Sequence, residues 1–116
     1  MEAAEAVAAA VEKAGDQPRV RSQAARIASG ISETARKQGE PAAQVRALET
    51  LAVLAPKKAQ VHAQLGAALI VLYESRSDAA KDPRQLERAR RALERSLELD
   101  PKQDAVKRLL DMYRDR

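Results

Sequence analysis

The chain contains no cysteine. This excludes disulfides, thiolate metal ligands and cysteine nucleophiles, and it accords with a reducing, cytoplasmic setting. Phenylalanine and tryptophan are also missing, and Tyr73 and Tyr113 are the only aromatic residues. The hydrophobic share of 45% therefore rests on alanine and aliphatic side chains. Such side chains fill a core only where backbones approach closely. The one histidine, His62, stands at the start of an apolar helical segment in a chain with no cysteine and no HExxH pattern, so it reads as structural rather than as a general base or metal ligand. Glycines 15, 30, 39 and 66 are too scattered to form a phosphate loop. We therefore expect no catalytic residue, no metal site and no cofactor. No apolar run reaches the roughly 20 residues a membrane span needs. The leading MEAAEAVAAAVEKAG has no basic start and reads as an amphipathic helix, not a signal peptide. The expectation is a soluble cytoplasmic protein, or a soluble piece of something larger.

What is present favours helix. Ala, Leu, Glu, Arg, Lys and Gln dominate, and all are strong helix formers. The 116 residues suit one domain. Five prolines, at 18, 41, 56, 83 and 101, fall between segments of helical periodicity, and proline suits the first turn of a helix while ending the one before it. Six helices are predicted. The first carries Ala3, Val7, Ala10, Val11 and Ala14 on one face, with Gly15 as its stop. The second, about 19–38, aligns Val20, Ala24, Ile27, Ala28, Ile31 and Ala35, and the third, about 41–54, aligns Val45, Leu48, Leu51 and Ala52. The fourth, about 58–76, is the most apolar, with Val61, Leu65, Ala68, Leu69, Leu72 and Tyr73 on one face. The fifth, about 84–99, presents Leu86, Ala89, Leu93 and Leu97. The sixth, about 102–114, presents Val106, Leu109, Leu110 and Tyr113. No segment alternates with a period of two, so no strand is predicted. The connection 75–83 contains two candidate caps, Ser77 and Asp82, and is either a loop or a continuation of the fourth helix.

Two segments are alike. RALETLAVLAPK (46–57) and RALERSLELDPK (91–102) share seven of twelve positions at a separation of 45 residues, and Val61 and Leu65 match Val106 and Leu110 beyond them. Helix pairs closing on a proline, with Leu65, Gly66 and Leu69 in the first helix and Ala89, Leu93, Ser96 and Pro101 in the second, resemble tetratricopeptide repeats. That family's unit is about 34 residues long, so an insertion of about eleven in the 75–83 connection is needed to restore register. A weaker repeat, with Ile31, Ser32, Ala35, Leu48 and Leu51 in the matching seats, ends at Pro56. Low aromatic content and the insertion depart from the family pattern. The resemblance covers residues 23–101 as two repeats, flanked by half-repeat helices. It implies an all-α array of six antiparallel helices, a fragment of a right-handed α-solenoid, within a single domain 1–116.

The resemblance further implies a non-enzymatic interaction module that holds a peptide or partner protein in a groove formed by the first helix of each pair. In that register the groove shows Arg26, Glu33, Arg36 and Lys37, then Gln60, Gln64 and Ile70, then Arg108. One variant of the family clamps the carboxylate tails of chaperones. Here Ser29, Glu33, Gln64, Ala105 and Leu109 stand at the clamp's seats, so binding of such tails is not expected.

Charge offers a rival reading. The net charge of +4 arises wholly in the second half, where fourteen basic residues face ten acidic ones. Arg84, Arg88, Arg91 and Arg95 form a stripe along the fifth helix, which is the footprint that nucleic acid or an acidic partner would need. Glu87, Glu94 and Glu98 flank it and no aromatic residue interleaves for base stacking, so the stripe reads first as a lattice of surface ion pairs. A third reading is architectural, with the Ala-rich face around Ala3, Ala6 and Ala10 forming a homodimer.

Overall fold

The computed structural model describes residues 18–114. These form α1 (Pro18–Lys37), α2 (Pro41–Leu54), α3 (Ala59–Glu74), α4 (Pro83–Leu99) and α5 (Asp104–Tyr113), with one turn of 3-10 helix at Asp78–Ala80. The all-helical expectation holds, and no strand occurs among the described residues. The helix expected over residues 3–15, with its alanine face, lies outside them. The chain divides into two compact units, one ending at Pro56 and the other beginning at Lys57.

In the first unit, α1 and α2 form an antiparallel hairpin. Its turn is set by Gly39, whose φ of +68° is open to glycine at little cost. The Glu40 amide donates to the Ala35 carbonyl at 2.9 Å and the Gly39 amide to that of Arg36 at 3.2 Å, the two bonds of a Schellman stop. Pro41 then opens α2, where a missing amide hydrogen costs nothing. At the far end of the hairpin, the Arg21 guanidinium donates to the Leu54 carbonyl at 3.2 Å and satisfies a helix-end acceptor. The packed stripe of α1 is Ala24, Ala28, Ser32 and Ala35, and it faces Val45, Ala47, Leu48, Leu51 and Leu54 of α2. Ile27, expected in that stripe, is 52% exposed. Ser32 takes the third seat because the i, i+4, i+8 spacing from Ala24 passes through Ala28 and leaves residue 27 a quarter-turn aside.

In the second unit, α4 packs against both α3 and α5. The α3–α4 contact centres on Gly66. A Cβ placed there would lie 2.7 Å from Cγ and Cδ2 of Leu93 and 3.1 Å from the Ala89 carbonyl oxygen. Only glycine lets these backbones come so close. Near the C-terminal end of α4, Ser96 is fully buried. Its hydroxyl donates to the Ala59 carbonyl at 2.8 Å and accepts from Gln103 Nε2 at 2.9 Å, which also donates to the Ser96 and Asp100 carbonyls. One buried network thus joins the start of α3, the end of α4 and the turn into α5. Arg90 Nε donates to the Tyr113 carbonyl at 2.7 Å and secures the last turn of α5.

The prolines divide into two kinds. Pro18, Pro41 and Pro83 are the first residues of helices. Pro56 and Pro101 follow helix ends instead, and the next helices start three residues later, at Ala59 and Asp104. The internal repeat is visible here. The Ala55 amide donates to Leu51 at 2.7 Å and the Asp100 amide to Ser96 at 2.9 Å, so each helix closes in the same way before its proline. The 75–83 connection is not a continuation of α3. The helix ends at Glu74, and the Lys81 ammonium lies 3.3 Å from Asp78, 3.7 Å from Glu74 and 5.5 Å from the Tyr73 ring centre. Asp82 caps α4, accepting from the Arg84 amide at 2.9 Å.

Candidate functional site

Hairpin packing consumes one face of each helix and leaves the other open. On α3, Gln60, Gln64 and Val71 fall on the open side, at the i, i+4, i+11 spacing of one stripe. Val71 is 55% exposed on a helix otherwise rich in buried aliphatic residues. Ile70, expected beside them, is 6% exposed and belongs to the core. It stands one turn beyond Gly66, and i, i+4 neighbours share a face, so the tightly packed side of α3 carries it inward.

On α1, Arg26, Glu33, Arg36 and Lys37 are all exposed. Arg36 donates to both carboxylate oxygens of Glu33, from Nε and Nη2 along one edge of its guanidinium. That hydrogen bonding holds the Glu33 carboxyl below its ordinary value and raises Arg36. Arg19 and Arg26 have no ion pair among the described residues, and they share one face with the exposed Ile27 and Gly30. Sequence reasoning placed Ile27 in the core and passed over Arg19. The seven-residue spacing of the two arginines was the signal that could have found the face. On α5, Arg108 is exposed and Met112 is 66% exposed, while Leu109 is half-buried.

The arginine stripe of α4 is different in kind. Arg84 lies 3.2 Å from Asp82, Arg91 3.3 Å from Glu87 and Arg95 3.1 Å from Glu98. Arg90, on the flank, reaches Glu87 at 3.6 Å. Asp82 sits below its ordinary value because the Arg84 amide and side chain both donate to it. Much of this stripe's positive charge is matched within its own helix, as mixed-sign helix faces tend to be. Among the described residues, no group of three acidic, histidine or cysteine side chains converges as metal ligands would, and no helix is long and apolar enough to cross a membrane.

The chain matches no family model, and neither the curated proteins nor the solved structures yield a match.

Proposed function

We propose that this protein is a non-enzymatic interaction module that binds a protein or peptide partner through the open faces of the first helix in each hairpin, α1 and α3. The observation that carries this reading is a contrast within the second unit. The outward face of α4 neutralises itself in ion pairs, whereas that of α3 offers Gln60, Gln64 and an exposed Val71 with nothing ionic between them. Amide side chains beside an aliphatic one supply directional bonds and apolar area without the desolvation cost of burying charge. Likeness to tetratricopeptide repeats supports the same assignment of faces. In that reading the module is an array of helix pairs, and the protein acts in the cytoplasm as a scaffold.

The test is affinity capture with the full chain, with and without nuclease, using the native protein, a Gln64→Glu/Val71→Glu variant and an Arg88→Glu/Arg91→Glu variant. A protein that persists through nuclease and is lost with the α3 variant supports the proposal. Capture that vanishes with nuclease and with the α4 variant refutes it in favour of nucleic-acid binding by the arginine stripe. Unchanged helicity and melting of both variants make the comparison valid.

A further inference from the structure

The middle of α1 holds a glycine that nothing in the described fold requires. Gly30 lies in helical backbone without positive φ, and a Cβ built on it would meet no atom within 4 Å. Glycine inside a helix is costly, because it gives up the most backbone freedom on folding. Gly39 and Gly66 earn their places through a left-handed turn and a tight helix contact. Gly30 has neither, and it faces away from α2, opposite the packed stripe of Ala24, Ala28 and Ala35.

Around it the face has a definite character. At 100° per residue, Arg19, Gln23, Arg26, Ile27, Glu33, Thr34 and Lys37 fall within about 60° of Gly30. All are exposed. Arg19 and Arg26 are seven residues apart, about 10 Å along the axis, and neither guanidinium meets a carboxylate of the described chain, unlike Arg84, Arg91 and Arg95. Across the whole helix five basic residues stand against Glu33 alone, and Glu33 is held by Arg36. The face is thus cationic, apolar at Ile27, and flat at its centre.

We propose that this face docks an acidic helix of a partner protein, lying along α1 with its backbone closest at Gly30. Two of its carboxylates, about seven residues apart, pair with Arg19 and Arg26, and an apolar residue covers Ile27. A helix is favoured because a missing side chain admits a backbone on close approach. A polyphosphate is disfavoured because Glu33 and Ile27 share the face and would repel it or leave it unsatisfied. The proposal rests on the reading of α1 and α3 as the binding helices and names the chemistry of the partner at α1.

The experiment places a benzophenone photo-cross-linking residue at Gln23 of the full chain in the cells that make it, and sequences what it joins. The expected product is a protein segment with helical periodicity and carboxylates at i and i+7. That segment, made as a labelled peptide, is the probe for titration. Arg26→Glu should weaken its binding at least about tenfold, and added salt should weaken it further. Gly30→Gln should weaken binding similarly while raising the melting midpoint by about 4 °C. Weaker binding by a more stable protein is a signature that a merely structural glycine cannot produce. Cross-links to nucleic acid, to a second copy or to the chain's own residues 1–17 overturn the proposal, as does a peptide indifferent to Gly30→Gln, or no cross-link at all. If capture is abolished by Gln64→Glu/Val71→Glu but ignores Arg26→Glu, this inference falls while the interaction module stands. If no variant affects any capture, both fall.

Discussion

Replacing Gly66 by alanine adds one methyl group at the tightest point of the second unit. That methyl would sit 2.7 Å from both Cγ and Cδ2 of Leu93. The terminal Cδ2 could swing aside, but Cγ is the branch point and moves only with the whole side chain. Leu93 is fully buried and has nowhere to turn, and the Ala89 carbonyl at 3.1 Å is backbone. The helices must separate or Leu93 must leave its rotamer, which costs about 1–3 kcal/mol as overpacking. Against this, alanine gains about 1 kcal/mol of helix propensity over glycine. The expected balance is destabilisation by up to about 2 kcal/mol. Gly30→Ala is the control, since it brings the propensity gain with no contact within 4 Å and should stabilise by about 1 kcal/mol. A Leu93→Ala background removes the obstacle, so there Gly66→Ala should become neutral or stabilising, a coupling above about 1 kcal/mol. The assay is urea denaturation followed by far-ultraviolet circular dichroism, comparing midpoints at constant slope. Stabilisation by Gly66→Ala equal to that by Gly30→Ala would refute the close approach of α3 and α4.

Two further outcomes follow from the second unit. Ser96→Ala removes the donor to Ala59 and the acceptor from Gln103 in a fully buried site, and should cost about 1–3 kcal/mol, with Ser96→Val, which fills the space without a hydroxyl, failing to restore stability if the network rather than volume is at stake. Asp82 has its folded value below the ordinary 3.8, so its contribution to stability is present above that value and is lost as pH falls through the lower folded one. Acid titration of the melting midpoint should therefore fall less steeply for Asp82→Asn, which keeps an oxygen acceptor for the Arg84 amide, than for the native chain; equal slopes would show that the cap carries no pH dependence.

Much of this protein was legible before its structure. Local chemistry sufficed wherever one residue decides its own neighbourhood. Pro41 and Pro83 open helices because they lack an amide hydrogen, and the bounds read for residues 41–54 are those of α2, where Val45, Leu48 and Leu51 are buried as expected while Ala47 and Leu54 join them and Ala52 is only half-buried. The likeness of 46–57 to 91–102 likewise reappears as two helices that close with the same amide bond before a proline. Pro56 and Pro101 were harder, since a proline's dihedral suits both the first turn of a helix and the turn that precedes one, and only the bonds around it separate the two uses.

The faces were a different matter. Periodicity says which residues share a side, but it cannot say how wide the packed side is, because that depends on how near the neighbouring helix comes. On α1 the neighbour comes close enough for alanines and Ser32 to suffice, which puts Ile27 outside. On α3 the approach at Gly66 draws Ile70 into the core and leaves Val71 at the surface, though the two are adjacent and equally apolar. Charge behaved in the same way. The arginines of α4 and those of α1 are alike in sequence, yet Arg84 reaches the cap residue Asp82 and Arg91 and Arg95 reach carboxylates of their own helix, while Arg19 and Arg26 reach none among the described residues. The sequence by itself determined the five described helices and the starts at Pro41 and Pro83, because those are settled by short-range bonds and allowed dihedrals, while the end of α3 and the turns after Pro56 and Pro101 needed the structure. Which side chains face outward, and with what charge left over, was decided by tertiary packing, because burial and pairing belong to the distance between helices and not to any residue within one.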